Sequence, residues 1–322
     1  MKSIFFTIKS KLPNSTKRKI EGMACALIKR FLKTISISYR GYRVFLPARD
    51  NCAAVIYFRY LLTHFWEHEI FEQKVVQHLL ERHMSDVHFI DGGASYGLYS
   101  LLASSTPTVN KTYAIECLLE TCHWLKRTIF YNHLEDRVDC IHAAISSSSG
   151  GTHFVQASDH SEWNKTLAAV GNGRSASQYE KVETLALDDL IFDQLGLTKG
   201  SVFIKLDLEG NEYSALKGLQ RFFSSGLDYV LFTEIHTGIL QTEEAILKYA
   251  QELWDKKAAG VYDVQVRKEQ GRIVELNTFS EFADLLREYA QQQFPCNLTN
   301  ILLCKRKISP QLLKEIGGRL GR

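Results

Sequence analysis

The chain has 322 residues, 45% hydrophobic and 23% charged, with 39 Lys and Arg against 36 Asp and Glu. That is enough apolar mass for one large catalytic domain with an extension, and five prolines exclude a Pro-rich linker architecture. The cysteines at 25, 52, 117, 122, 140, 296 and 304 form no C-x-x-C pair and no Cys/His cluster of zinc-ligand spacing, which favours reduced thiols in a cytoplasmic protein over a disulfide frame.

Charge is unevenly spread. The first fifty residues carry 12 Lys and Arg against Glu21 and Asp50, a net of +10 that leaves the rest of the chain at −7. Within them, Ile20 to Ile35 sets apolar residues (Ile20, Met23, Ala24, Leu27, Ile28, Phe31, Leu32) beside Lys29, Arg30 and Lys33 near the helical period, so a basic amphipathic helix is expected. Such a helix either lies on an anionic membrane surface, as a peripheral contact, or docks on the catalytic domain and shows its cations to water. No apolar run reaches the roughly 18 residues of a membrane span, and the apolar part of Met1 to Lys9 is too short for a signal peptide. Basic and stacking aromatic residues do not interleave, so nucleic acid is not an expected partner. Residues 51–84 then read as a helical lead-in rich in aromatics (Tyr57, Phe58, Tyr60, Phe65, Trp66, Phe71).

Val87 to Ser100 carries the chemistry. A short apolar strand ends in Asp91 and breaks into Gly92-Gly93-Ala94-Ser95-Tyr96-Gly97, after which a helix starts near Leu98. Glycines at the tip of a parallel strand allow turns and close approaches that a Cβ would block. A dinucleotide site needs G-x-G-x-x-G and rests a pyrophosphate on the helix start, which an acid would repel. S-adenosylmethionine has no phosphate and carries an ammonium and a sulfonium, so Asp91 suits it through charge-assisted hydrogen bonding. Lys111 to Glu116 is the next strand, and Glu116 stands at the spacing at which an acid accepts ribose hydroxyls.

Alternation continues with a helix over Leu118 to Tyr131 and a strand over Val138 to Ile141, which argues for a parallel α/β sheet. The polar stretch Ser146 to Tyr179 breaks the rhythm, as a mobile cover over the acceptor or a surface loop without a role. Asp188 and Asp189 are expected to cap a helix from Leu190. Val202 to Asp207 is a further strand, followed by Leu208-Glu209-Gly210-Asn211-Glu212 and a helical run through Phe223. Tyr229 to Phe232 is another, ending in Thr233-Glu234-Ile235-His236. Ligands in open α/β sheets gather at the carboxyl ends of the strands, so Asp207, Glu209, Glu234 and His236 are expected to line one crevice with Asp91.

Methyl transfer from a sulfonium is an in-line displacement, and an alcohol acceptor must lose its proton near the moment of attack. His236 is the candidate base, the alternative being a histidine that only orients Glu234. Asp207, Glu209 and Glu234 offer a second route by binding Mg²⁺ as hard oxygen ligands. Otherwise Asp207 holds the donor's ammonium and Glu209 caps the following helix. Lys205 pairs with one of these acids.

The glycine loop, the Glu116 strand, Val-Glu-Thr-Leu-Ala-Leu-Asp-Asp-Leu (182 to 190), Ile-Lys-Leu-Asp-Leu-Glu-Gly-Asn-Glu (204 to 212) and Thr-Glu-Ile-His together resemble the FkbM family of S-adenosylmethionine-dependent methyltransferases over about residues 85–305. Lys205 to Glu212 is the most specific block, matching K-x-D-x-E-G-x-E. The resemblance implies a seven-stranded Rossmann-like α/β fold with helices on both faces, and methylation of a hydroxyl on a sugar, glycan or natural product. Ser95 and Tyr96 depart from the family, which often has Asn and a small or aliphatic residue there. The expected organisation is a basic extension (1–50), a lead-in (51–84), the methyltransferase domain (85–305) and a basic tail (306–322). Two rival classes remain: a scaffold that kept the fold without the chemistry, and a nicotinamide-dependent dehydrogenase, which the glycine spacing disfavours.

Overall fold

A computed structural model describes residues 14–63, 70–156, 179–237, 240, 242–256, 258–265, 271–292 and 298–318. The first nine residues, Phe65 and Trp66, most of the polar stretch after Gln156 and the end of the basic tail lie outside the described residues.

The chain opens with helix α1 (Asn14–Phe31), then strands β1 (Thr34–Tyr39) and β2 (Tyr42–Pro47), and helices α2 (Asn51–Thr63) and α3 (Ile70–Arg82). The amphipathic helix is present but stops at Phe31. Ile35 belongs instead to a strand, because Thr-Ile-Ser-Ile-Ser-Tyr alternates with period two and buries Ile35, Ile37 and Tyr39 on one face. The hairpin closes through Arg40 and Gly41, both at positive φ, a twist that suits paired antiparallel strands.

Strands β3 (Val87–Gly92), β4 (Val109–Glu116) and β5 (Val138–His142) follow, with α4 (Leu98–Ser104) and α5 (Leu119–Tyr131) between them. Short strands β6 (Ala144–Ile145), β7 (Thr152–Gln156) and β8 (Tyr179–Leu185) make a small separate sheet. Strand β9 (Ser201–Leu206) returns to the main sheet, followed by α6 (Glu212–Lys217), α7 (Gln220–Ser224), β10 (Asp228–His236), α8 (Glu243–Trp254), β11 (Gly260–Gln265), β12 (Arg272–Glu275), α9 (Phe279–Ala290), β13 (Leu298–Cys304) and α10 (Pro310–Gly318).

The main sheet runs β12-β11-β13-β10-β9-β3-β4-β5. The five strands from β10 to β5 are parallel, whereas β13, β11 and β12 pair antiparallel. The order in which the chain adds strands reverses between β3 and β9, which sit at the centre of the sheet. This is a Rossmann-like sheet with helices on both faces, and β12 adds an eighth strand at the edge of the expected seven. Adjacent residues of the central strands split between the faces: Ile90, Ile204 and Leu231 pack with Leu216, Tyr249 and Phe282, while Phe89, Phe203 and Val230 pack with Leu79, Leu102 and Leu312. A third apolar cluster joins the N-terminal hairpin and Ala53 of α2 to Leu125 and Ile129 of α5. Cys122 and Cys140 are free thiols whose Sγ atoms lie 3.3 Å apart.

Two local expectations are corrected. The run from Glu212 to Ser224 is broken into α6 and α7 at Gly218, where a Cβ would stand 2.5 Å from the Ser146 carbonyl oxygen. Asp188 does not cap the π-helical turn Asp189–Gln194 that follows it. Its carboxylate crosses to the start of α7, accepting from the backbone N–H groups of Arg221 (2.7 Å) and Phe222 (2.9 Å).

Candidate active site

The carboxyl ends of β3, β4, β9 and β10 converge on the loop between β3 and α4. Gly93 has φ +74°, and a Cβ there would lie 1.9 Å from the backbone oxygen of Asp207. Only glycine lets the β3 loop lie against the end of β9. Gly97 starts α4 at φ +88°, with a Cβ site 2.5 Å from Leu125. The amides of Gly93 and Ala94 donate to the Ile115 carbonyl at 3.0 and 2.9 Å, and Asp207 N donates to Gly92 O at 3.1 Å, so the loop is fastened to both neighbouring strands. Gly93→Ala is expected to cost about 2–3 kcal/mol, since it combines a left-handed backbone with a backbone collision. A thermal melt with a donor titration checks this: a fall in Tm together with weakened binding is the expected pair. Ser95 also takes positive φ, and Tyr96 is buried among Ile37, Leu125 and their neighbours. The departure from the family pattern at Tyr96 therefore serves packing against the N-terminal unit.

Asp91 is fully buried beneath the loop. Its Oδ2 accepts from Ser100 Oγ at 2.6 Å, and its Oδ1 has no hydrogen bond and lies 4.0 Å from Lys205 Nζ. Burial pushes its carboxyl up from the usual range against the pull of Lys205 and Ser100. Asp91 is thus held under the loop, tying β3 to α4 and β9, rather than standing open in the crevice as the sequence suggested. Lys205, also buried, approaches Asp207 Oδ2 at 3.4 Å and stands over the Tyr99 ring. The expected pairing of Lys205 with an acid is present with two of them.

Glu116 turns back over the loop. Its Oε2 accepts from Ser95 N at 2.9 Å and its Oε1 from Leu118 N at 2.8 Å. Burial raises its pKa, and these amides partly offset that. Each oxygen keeps a further lone pair, so accepting a ribose hydroxyl is compatible with the geometry.

The turn after β9 is organised by Glu212, a residue not singled out from sequence as part of the site. Its buried Oε1 accepts from Leu208 N (2.9 Å), Gly210 N (3.2 Å) and His236 Nδ1 (3.1 Å). The helix cap expected of Glu209 is not present: α6 starts without a side-chain cap, and Glu212 instead fastens the turn that precedes it. Glu209, at φ +51°, projects outward and accepts from His236 Nε2 at 3.2 Å, with its side chain still 32% exposed. The signal is in the K-x-D-x-E-G-x-E block, where the last acid, Glu212, follows Glu209 by three residues.

His236 occupies the end of β10 with both ring nitrogens engaged by Glu209 and Glu212, not by Glu234. Burial alone would lower its pKa, but the two carboxylates outweigh burial and push it up to about 12. In this arrangement both ring nitrogens are directed at carboxylates, and a doubly protonated imidazole donates from both. Glu209 moves the other way. Burial, with Asp207 and Glu212 nearby, raises it to about 7 despite the histidine. Glu212 is lowered: burial would raise it, and the His236 cation and backbone amides prevail.

The residues also bear on what the crevice can hold. Asp207, Glu209 and His236 offer ligand atoms that all lie within 4.8 Å of one another, so the compact group includes His236 in place of the expected Glu234. Mg²⁺ prefers an all-oxygen shell, and the histidine here is spent on its two glutamates. A cationic, phosphate-free donor fits better. The strand ends offer Glu116 and Asp207, and Asp91 Oδ1, which has no hydrogen bond, lies directly under the glycine loop.

Comparison with known proteins follows the same lines. Residues 91–291 match the Methyltransferase FkbM domain. Among solved structures, the chain is similar to a tRNA m1G37 methyltransferase from M. jannaschii, with 13% identity and a TM-score of 0.38 over 86% of this chain and 58% of that one. It is similar to the methyltransferase FkbM from Methylobacillus flagellatus KT, with 16% identity and a TM-score of 0.30 over 65% of this chain and 47% of that one. A SAM-dependent methyltransferase from Aquifex aeolicus aligns at 12% identity and a TM-score of 0.33, over 62% of this chain and 85% of that one. The chain thus spans less than two thirds of the first two. No curated protein matches it. The domain match covers well over half of the sequence and contains the glycine loop, Glu116, the Lys205 to Glu212 block and His236, so the chain belongs to the FkbM family of S-adenosylmethionine-dependent methyltransferases.

Proposed function

We propose that the protein transfers the methyl group to a hydroxyl oxygen of a sugar, glycan or natural product, with Glu209 as the base that takes the hydroxyl proton. The observation that carries this reading is Glu209 itself. It is a partly exposed carboxyl in the turn after β9, 3.2 Å from His236 Nε2, in surroundings that raise its pKa to about 7. A base poised near the working pH is what proton removal from an alcohol needs. When bound, the donor supplies a sulfonium-activated methyl group.

The chain's own residues do the rest. Gly93 and Gly97 let the loop lie close to the donor pocket, Asp91 and Lys205 hold that loop from below, and Glu116 accepts from the ribose. His236 fixes Glu209 by one hydrogen bond, and Glu212 fixes His236 by another. Glu234 takes no part in this relay.

The test is a panel of acceptors incubated with the donor, with S-adenosylhomocysteine release as the readout. Hydroxyl-bearing sugars and polyols are expected to turn over at a rate that climbs with pH through about 7, and a chelator is expected to leave that rate unchanged. Turnover with amine or carbon acceptors alone would overturn the reading, and donor binding without turnover on any of them would favour a scaffold. Activity lost to the chelator and restored by a divalent cation would make Asp207 and Glu209 ligands instead.

A further inference from the structure

We propose that the outer face of α1 docks on an anionic phospholipid bilayer, which the protein meets from one side without crossing it. Ile20, Met23, Leu27 and Phe31 recur at spacings of three and four and form one stripe along the helix. All four are exposed, Met23 and Phe31 to 71% and 72%. The helix buries its other side: Cys25 is buried, and Ile28 packs against the cluster of Ile35, Ile37 and Ala53. The stripe is therefore not the surface by which the helix attaches to the domain. A contiguous row of large apolar residues left in water marks a site of association.

Charge selects the occupant. On the helical wheel the exposed Lys19 and Arg30 lie along one edge of the stripe, and Lys33, two residues past the helix end, is exposed as well. Arg30 stands over the Phe31 ring. Beside them, Lys29 and Arg30 border a groove of about 690 Å³ between α1 and α2, floored by Cys25, Ala26 and Val55 and shared with Glu21, the one acid of the helix. Apolar side chains flanked by cations, with a low-acid helix lying flat, match the boundary between headgroups and acyl chains of an anionic leaflet. A second copy of the chain is the poorer partner, since a two-fold contact would set the same cations against each other. Among the described residues no helix is long and apolar enough to cross a membrane, so docking on the surface is the mode that fits.

Substitutions on the exposed face test this better than truncation, because removing residues 1–40 would also remove the buried side chains of Ile35, Ile37 and Tyr39. The full-length protein is floated with vesicles of phosphatidylcholine alone and of phosphatidylcholine with phosphatidylglycerol, at low and raised salt. It is expected to float with the anionic vesicles only and to be released by salt. Replacing Lys19, Arg30 and Lys33 together by Gln should lower partitioning about a hundredfold, at about 1 kcal/mol per cation. Replacing Met23, Leu27 and Phe31 together by Ser should lower it by a comparable factor. Both variants should keep the wild-type donor affinity, which reports an intact fold. Equal flotation with neutral vesicles, no flotation, or unchanged flotation of the Ser variant would overturn the proposal. Sedimentation velocity provides the remaining arm: a dimer that the Ser variant dissociates would assign the stripe to a second copy.

Discussion

Glu209→Gln is expected to lower kcat by about 10²–10⁴ while leaving donor affinity at the wild-type value. The amide keeps the shape of the side chain and still accepts from His236 Nε2, but it cannot take a proton. Two further readouts separate a base from a residue that only shapes the crevice. Wild-type kcat should rise through about pH 7 as Glu209 ionises, and the variant's residual rate should be flat there. Stability should move the opposite way. A carboxyl whose folded pKa is raised above its unfolded value of 4.5 costs stability when ionised, and that cost is absent below about 4.5 and complete above about 7. The Gln variant should therefore match or exceed the wild-type Tm at pH 8 while being nearly inactive. A variant that loses donor binding, or whose residual activity keeps the wild-type pH profile, would remove Glu209 from the role.

Glu212→Ala should be the most damaging single change to the fold at the site. The side chain is buried, and one of its oxygens serves two turn amides and the His236 cation. Removing it leaves a buried imidazolium with one partner and two amides with none, a loss of about 3–5 kcal/mol. The pH window follows from signs. Glu212 is lowered in the folded state, so its contribution is present above about 4.5 and lost as pH falls through its folded value. His236 is raised to about 12, so its contribution is complete below 6.5 and lost as pH climbs through about 12. Melts across pH should show a gap between wild type and variant that is constant near neutrality and narrows in acid. A gap below about 1 kcal/mol at pH 7 would mean that Glu212 is not what holds the turn.

The central strands were legible in the sequence because each is a short apolar run ended by an acid or glycine. The expected strands Val87 to Asp91 and Val202 to Asp207 agree with β3 and β9 to within a residue at each end. The β1–β2 hairpin is not among the expected elements, although its period-two alternation is plain, because the helical pattern is carried to Ile35, into the start of β1. The crevice was legible as a neighbourhood. Chain order puts Asp91, Glu116, Asp207, Glu209 and His236 at adjacent strand ends, and that is where they lie. Their individual roles were not, because they depend on side-chain direction. Asp91 faces under the loop toward Ser100, and His236 reaches Glu212 across the turn, a pairing that spacing along the chain does not encode.

The central position of β3 has a consequence for how the chain is made. Its parallel partner β9 is separated from it by everything from α4 to β8, so Val87 pairs with Ser201 only after that whole length has emerged. Contacts of such long range form late and slow folding. Until then the strand that carries the glycine loop is an edge on that side, with the hydrogen-bonding groups that later pair with β9 open to any other strand. A chain truncated before Ser201 would lack the donor pocket and expose that edge for good, making such fragments prone to aggregate rather than to fold as a smaller domain.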